Sequence, residues 1–136
     1  MPSFENVEET KALNLQFNKR GGLLPVIVQH SETREVLMLG YTNREAFDYT
    51  VSHRIAAFWS TSREELWVKG KTSGNVLHIR EIRVDCDQDA LVYVADLEGS
   101  GVCHTKNAND QFRTSCFYRS LAMGKNDDGE LNFLEK

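Results

Sequence analysis

The sequence predicts an α+β fold that is predominantly β: a small, barrel-like strand meander with one clear helix. Three observations lead there. Short apolar or alternating runs recur along the chain, separated by polar or glycine-rich corners. A single strong helix-start signal interrupts them. At 136 residues, 40% of them hydrophobic, the chain is long enough for one domain, 1–136, with its own core.

In chain order, Leu13, Leu15 and Phe17 alternate with polar residues and predict a first strand ending at Lys19-Arg20-Gly21-Gly22. Residues 23–29 and 35–41 predict two strands joined by the polar turn 30–34. Thr42 followed by Glu45 is a capping-box pattern, in which hydroxyl and carboxylate satisfy free amides at a helix start. Ala46, Phe47, Tyr49, Thr50 and Val51 carry that helix onward. Residues 55–59 and 66–68 predict further strands, Lys71-Thr72-Ser73-Gly74-Asn75 a turn, and 76–87 a long strand. Residues 90–97, 102–104 and 116–121 continue the meander, and 131–134 close it.

Sixteen basic against twenty acidic residues give a net charge of −4, unlike the basic footprint of a nucleic-acid binder. No long apolar run marks a membrane span, and the amino terminus lacks the cationic and apolar regions of a signal peptide. A cytoplasmic protein is expected. Three cysteines, an odd number without an export signal, then predict reduced thiols rather than disulfides.

Chemistry concentrates in three places. Asp85, Asp87 and Asp89 alternate around Cys86; in an extended strand the first two share a face opposite the thiol. Carboxylates suit a hard cation such as Mg2+ and thiolates suit zinc, so one segment is able to serve two metals. A calcium loop is excluded, because Ala90 and Asp96 stand where its Gly and Glu belong; a solvated acidic turn is the plain alternative. Cys86, Cys103, His104 and Cys116 form the zinc set, without the Cys-x2-Cys spacing of a finger or ribbon. Cys103 and His104 are adjacent and point to opposite faces of a strand, which favours three thiolates plus water with His104 as acid/base. A closed Cys3His structural site is the alternative. Third, Trp67 and Lys69 share one side of a strand leading into the Thr72-Ser73-Gly74-Asn75 turn, offering a stacking plane, a cation and free amides. A nucleotide asks for that combination, although an amphipathic hairpin with a core tryptophan has the same pattern. Ser60, Ser62 and Arg63 add a further polar cluster.

Together these stretches resemble the phosphoribosyl-AMP cyclohydrolases of histidine biosynthesis, over a motif-bearing core of about residues 23–121. The resemblance is carried by Glu35-Val36-Leu37-Met38, Trp59-Ser60-Thr61-Ser62-Arg63, Leu66-Trp67-Val68-Lys69-Gly70 leading into Thr72-Ser73-Gly74-Asn75, Asp85-Cys86-Asp87-Gln88-Asp89-Ala90, Cys103-His104-Thr105 and Ser115-Cys116-Phe117-Tyr118-Arg119. It implies hydrolytic opening of the adenine ring of N1-phosphoribosyl-AMP at the N1–C6 bond, by zinc-activated water with Mg2+ assistance. It implies Mg2+ at Asp85, Asp87 and Asp89, and Zn2+ at Cys86, Cys103 and Cys116. It also implies an intertwined homodimer sharing the zinc site, in the single-activity form. His104 is then the expected acid/base, and Arg63, Trp67, Lys69 and Ser73 the substrate contacts. Two departures stand out: Lys71 follows the Lys-Gly pair where the family usually has an acidic residue, and the segment between Cys103 and Cys116 is longer than usual. The competing readings are a zinc-stabilised nucleotide-binding module and a zinc hydrolase for another purine nucleotide.

Overall fold

The computed structural model describes residues 7–124 and 129–135. Its centre is a four-stranded sheet in the order β2-β1-β6-β5, built from β1 (Leu24–His30), β2 (Val36–Thr42), β5 (Leu77–Val84) and β6 (Leu91–Leu97). Neighbours are antiparallel except β1 and β6, which run parallel from Val26↔Leu91 to His30↔Ala95. A parallel pair needs a long crossover, and everything from β2 to β5 supplies it. The simple meander is corrected on this point. Alternate residues Leu24, Val26 and Val28 are fully buried, and Leu37, Leu77, Leu91 and Tyr93 join them in one core.

The crossover holds the helix and a hairpin. Helix α1 (Arg44–His53) starts one residue later than the capping-box pattern predicts: Asn43, not Thr42, accepts the Ala46 amide at 2.9 Å. Phe47 turns into the core and Thr50 bonds Ala57 of the next strand, fixing the helix on β3 (Ala57–Ser60). Among the described residues β3 pairs only with β4 (Glu65–Val68), and a bridge between Ile55 and His78 ties this hairpin to β5.

Four expectations are corrected. Residues 13–17 form no strand: Leu15 is buried while Leu13 is exposed, so the alternation is real. Their amides, however, go to Gln88, from Asn14 to its side chain at 2.7 Å and from Gln16 to its carbonyl at 2.8 Å. The segment ends in a 3-10 turn, Phe17–Arg20. The long strand stops at Val84, and Asp85 to Asp89 form a turn in which Gln88 has φ 56°. Residues 102–104 and 116–118 are irregular; only Arg119–Leu121 (β7) is strand, paired with Leu131–Phe133 (β8). That pair stands apart from the main sheet, so no barrel closes. No described helix is long and apolar enough to cross a membrane.

Candidate active site

Lys69 and Gly70 follow β4 and open the turn that makes the site. Gly70 has φ 84°, and a Cβ there would lie 2.4 Å from the Asn75 backbone, so only glycine lets the turn fold back this tightly. Ser73 accepts the Asn75 amide at 3.2 Å, and buried Asn75 holds the Ser100 amide, also at 3.2 Å. The turn forms one side of a cavity of about 200 Å³, to which Trp67, Lys69, Ser73, Cys103, His104 and Phe112 all contribute.

Lys69 is buried, at 7% exposure, with its ammonium 5.9 Å from the Trp67 ring centre. Burial pulls its pKa down, while the nearby Cys116 and Cys103 push it back up. The two thiols adjoin each other. Cys103 accepts from the Thr105 amide at 3.5 Å and lies 3.0 Å from its hydroxyl. Burial raises the Cys103 thiol, but Thr105, Cys116 and Arg113 outweigh it and leave the pKa below the ordinary value. Burial and the neighbouring Cys103 push Cys116 up to about 11. A pair that divides in this way shares its protons as a unit. β2 fixes Cys116 in place: its amide donates to the Leu37 carbonyl at 2.8 Å, and the Ser115 hydroxyl donates to Val36 at 2.7 Å.

The second centre is the acidic turn. One oxygen from each of Asp85, Asp87 and Asp89 lies within 4.8 Å of the others, the one such group of three among the described residues. The Asp85 carboxylate accepts the Asp89 and Ala90 amides, which folds the turn and converges the three side chains. Convergence therefore comes from a turn and not from strand alternation. Lys19 reaches Asp87 and Asp89 at 2.9 Å, and Arg20 reaches Asp89 at 2.9 Å. Lys19 is the main cause holding the Asp89 carboxyl far below the usual range, whereas burial raises that of Asp85.

Residues 38–118 match the family model for phosphoribosyl-AMP cyclohydrolase. The chain belongs to the phosphoribosyl-AMP cyclohydrolase family. It is 47% identical over 113 residues to the phosphoribosyl-AMP cyclohydrolase of Desulfatibacillum aliphaticivorans, covering 83% of this chain and 86% of that one. It is 50% identical over 109 residues to that of Archaeoglobus fulgidus, covering 80% and 94%. The histidine biosynthesis bifunctional protein of Bacteroides thetaiotaomicron is 50% identical over 93 residues, 68% of this chain and 45% of its own.

Against the cyclohydrolase expectations, Trp67, Lys69, Ser73, Cys103 and His104 meet in one cavity, with Cys116 beside Cys103. Two residues fall elsewhere. Arg63 lines a separate hollow with Trp59, Ser60 and the other side of Trp67, and pairs with Glu65 at 3.5 Å. Cys86 is exposed and borders a different cavity with Leu13 and Val84. Sequence reasoning missed Thr105, which tunes Cys103, and the basic pair Lys19 and Arg20 on the acidic turn. It also missed Phe112, an aromatic set in an otherwise polar segment. The basic pair had a legible signal, two cations in a chain carrying a dense acidic run, and Thr105 stands in the Cys103-His104-Thr105 motif; Phe112 had none.

Proposed function

We propose that this chain opens the adenine ring of N1-phosphoribosyl-AMP by hydrolysis of the N1–C6 bond, in the cavity between Trp67 and the Cys103–Cys116 pair. The observation that carries this reading is the meeting of a stacking ring, a buried cation and the Cys103 thiol in one hollow, with Cys116 adjoining that thiol. At about 200 Å³ the cavity is below the roughly 300–1,000 Å³ of sites that enclose a whole ligand. It suits one part of a nucleotide, with the remainder reaching outward along Lys71 and the Thr72-Ser73 turn.

The donor sets fit the two metals. Soft sulfurs at Cys103 and Cys116 suit zinc, with Cys86 of a second copy as the third thiolate; clustered carboxylate oxygens at Asp85, Asp87 and Asp89 suit Mg2+. Bound zinc supplies a Lewis acid that makes water nucleophilic near neutral pH. Three thiolates leave a net charge of −1 and weaken that effect. A proton acceptor is therefore required, and His104 on the cavity wall takes the proton from the attacking water. Trp67 orients the base, while Lys69 holds negative charge on the substrate or on the opening ring. A zinc-stabilised binding module needs no such acid/base group, which counts against that alternative.

The test is turnover of N1-phosphoribosyl-AMP by zinc-loaded protein with Mg2+, followed by the ultraviolet change of ring opening. Activity lost on chelation and restored by zinc is the expected result. Folded, zinc-containing protein without turnover would overturn the reading.

A further inference from the structure

The segment between Cys103 and Cys116 is a built hairpin. Its base is bonded from Arg113 to Thr105 at 3.0 Å, from Cys103 to Arg113 at 3.1 Å and from Val102 to Thr114 at 3.1 Å. Lys106 and Phe112 form an antiparallel bridge, and the Asn107 amide donates to Gln111 at 2.8 Å. The Asn107 side chain accepts the Asn109 and Gln111 amides, and Asp110 takes φ 58° to close the tip. Gly101 keeps the returning strand close: a Cβ there would meet the Phe112 and Arg113 carbonyls at 2.2 Å.

The far end of the chain braces this hairpin. One Glu135 carboxylate oxygen accepts from the Asn107 side chain at 3.3 Å and the other from the Thr114 amide at 3.1 Å. The Arg113 Nε donates to the Glu135 carbonyl at 3.3 Å, and its guanidinium packs 4.2 Å from the Tyr118 ring centre and 5.5 Å from that of Phe133. The outcome is a fixed position for Phe112. Its half-buried ring lines the same cavity as Trp67, Lys69 and His104, with the Lys106 ammonium 5.1 Å from the ring centre. A loop serving only to connect Thr105 to Arg113 needs no aromatic ring at that place and no brace from residue 135.

We propose that Phe112 is a second aromatic contact for the purine base, and that Glu135 is a positioning residue that holds the hairpin bearing it. This rests on the nucleotide reading of the cavity. Trp67 and Phe112 then grip the base from two walls, which makes affinity in this protein depend on a segment outside the β-sheet framework.

The experiment measures turnover of N1-phosphoribosyl-AMP and, separately, quenching of tryptophan fluorescence by adenosine monophosphate, with zinc content checked in each variant. Phe112→Ala is expected to raise both KM and the nucleotide dissociation constant roughly tenfold, the order of a lost base–aromatic contact, with kcat within about threefold and zinc retained. Phe112→Tyr restores affinity. Glu135→Ala raises KM less, and adds nothing further in the Phe112→Ala background. Unchanged KM and nucleotide affinity in Phe112→Ala would overturn the inference, as would a fall in kcat with loss of zinc, which marks a purely structural hairpin. Nucleotide binding that depends on Phe112, in a wild-type protein without turnover, would instead uphold it and defeat the proposed reaction.

Discussion

Lys69 concentrates the physics of the site in one side chain. Its ammonium is buried beside Trp67, and burial lowers its pKa from the usual 10.5. Removing the charge leaves the pocket without the anion contact proposed for it. Lys69→Met is therefore expected to raise KM by roughly 10–100-fold, the range for a hydrogen bond to a charged group, measured by steady-state kinetics. The sign of the pH effect follows. A lysine whose pKa is lowered loses its proton sooner as pH rises, so KM climbs on the alkaline side before pH 10.5, and that limb is missing in Lys69→Met. His104 carries a different burden. His104→Ala slows kcat by roughly 10²–10⁴-fold with zinc retained if the imidazole is the acid/base; zinc loss by elemental analysis would place it among the ligands. In the core, the Tyr93 hydroxyl is fully buried near Thr42 and Thr50 yet meets no hydrogen-bond geometry with either. Burial pushes its pKa up to about 12. Tyr93→Phe is accordingly expected to change unfolding free energy by less than about 1 kcal/mol, or to stabilise, in denaturant titration.

Elements differ in how openly the sequence declares them. β1, β2 and β6 were legible because their buried residues alternate or run together against one core. The same alternation at Leu13, Leu15 and Phe17 misleads, because periodicity reports burial and not the hydrogen-bond partner. Here that partner is Gln88, more than seventy residues away, which no local pattern encodes. The acidic turn was legible as a cation site and misread as a strand, since Gln88 at φ 56° breaks the extended path. The Trp67–Lys69 pairing was readable from strand spacing. Phe112 was not, because its place depends on a brace from Glu135 that exists only in three dimensions. At this scale the Gly70 turn is the point of failure. Gly70→Ala forces both a strained φ and a 2.4 Å contact with Asn75. A loss of more than about 2 kcal/mol is expected in thermal or chemical unfolding, together with weakened nucleotide binding.

For the whole molecule, the zinc site proposed above calls for a third thiolate. Cys103 and Cys116 adjoin each other, but Cys86 borders a separate cavity. Within the described residues a single copy offers zinc two sulfurs, and two do not close a site. Large apolar side chains are left exposed as well, among them Leu39 and Tyr41 on β2 and Phe117, Leu121, Leu131 and Phe133 around the second hairpin. A second copy of the chain covering such a surface and lending its Cys86 answers both observations. The most direct measurement mixes two inactive variants, Cys86→Ser and Cys103→Ser, after unfolding and refolding them together. In a mixed dimer, Cys86 of one chain meets intact Cys103 and Cys116 of the other at one site, while the second site is doubly broken. Random pairing then restores zinc and ring-opening activity to roughly a quarter of wild type, given that half the dimers are mixed and each holds one of two sites. Mixtures that stay as inactive and zinc-free as their parents would contradict a site shared between chains.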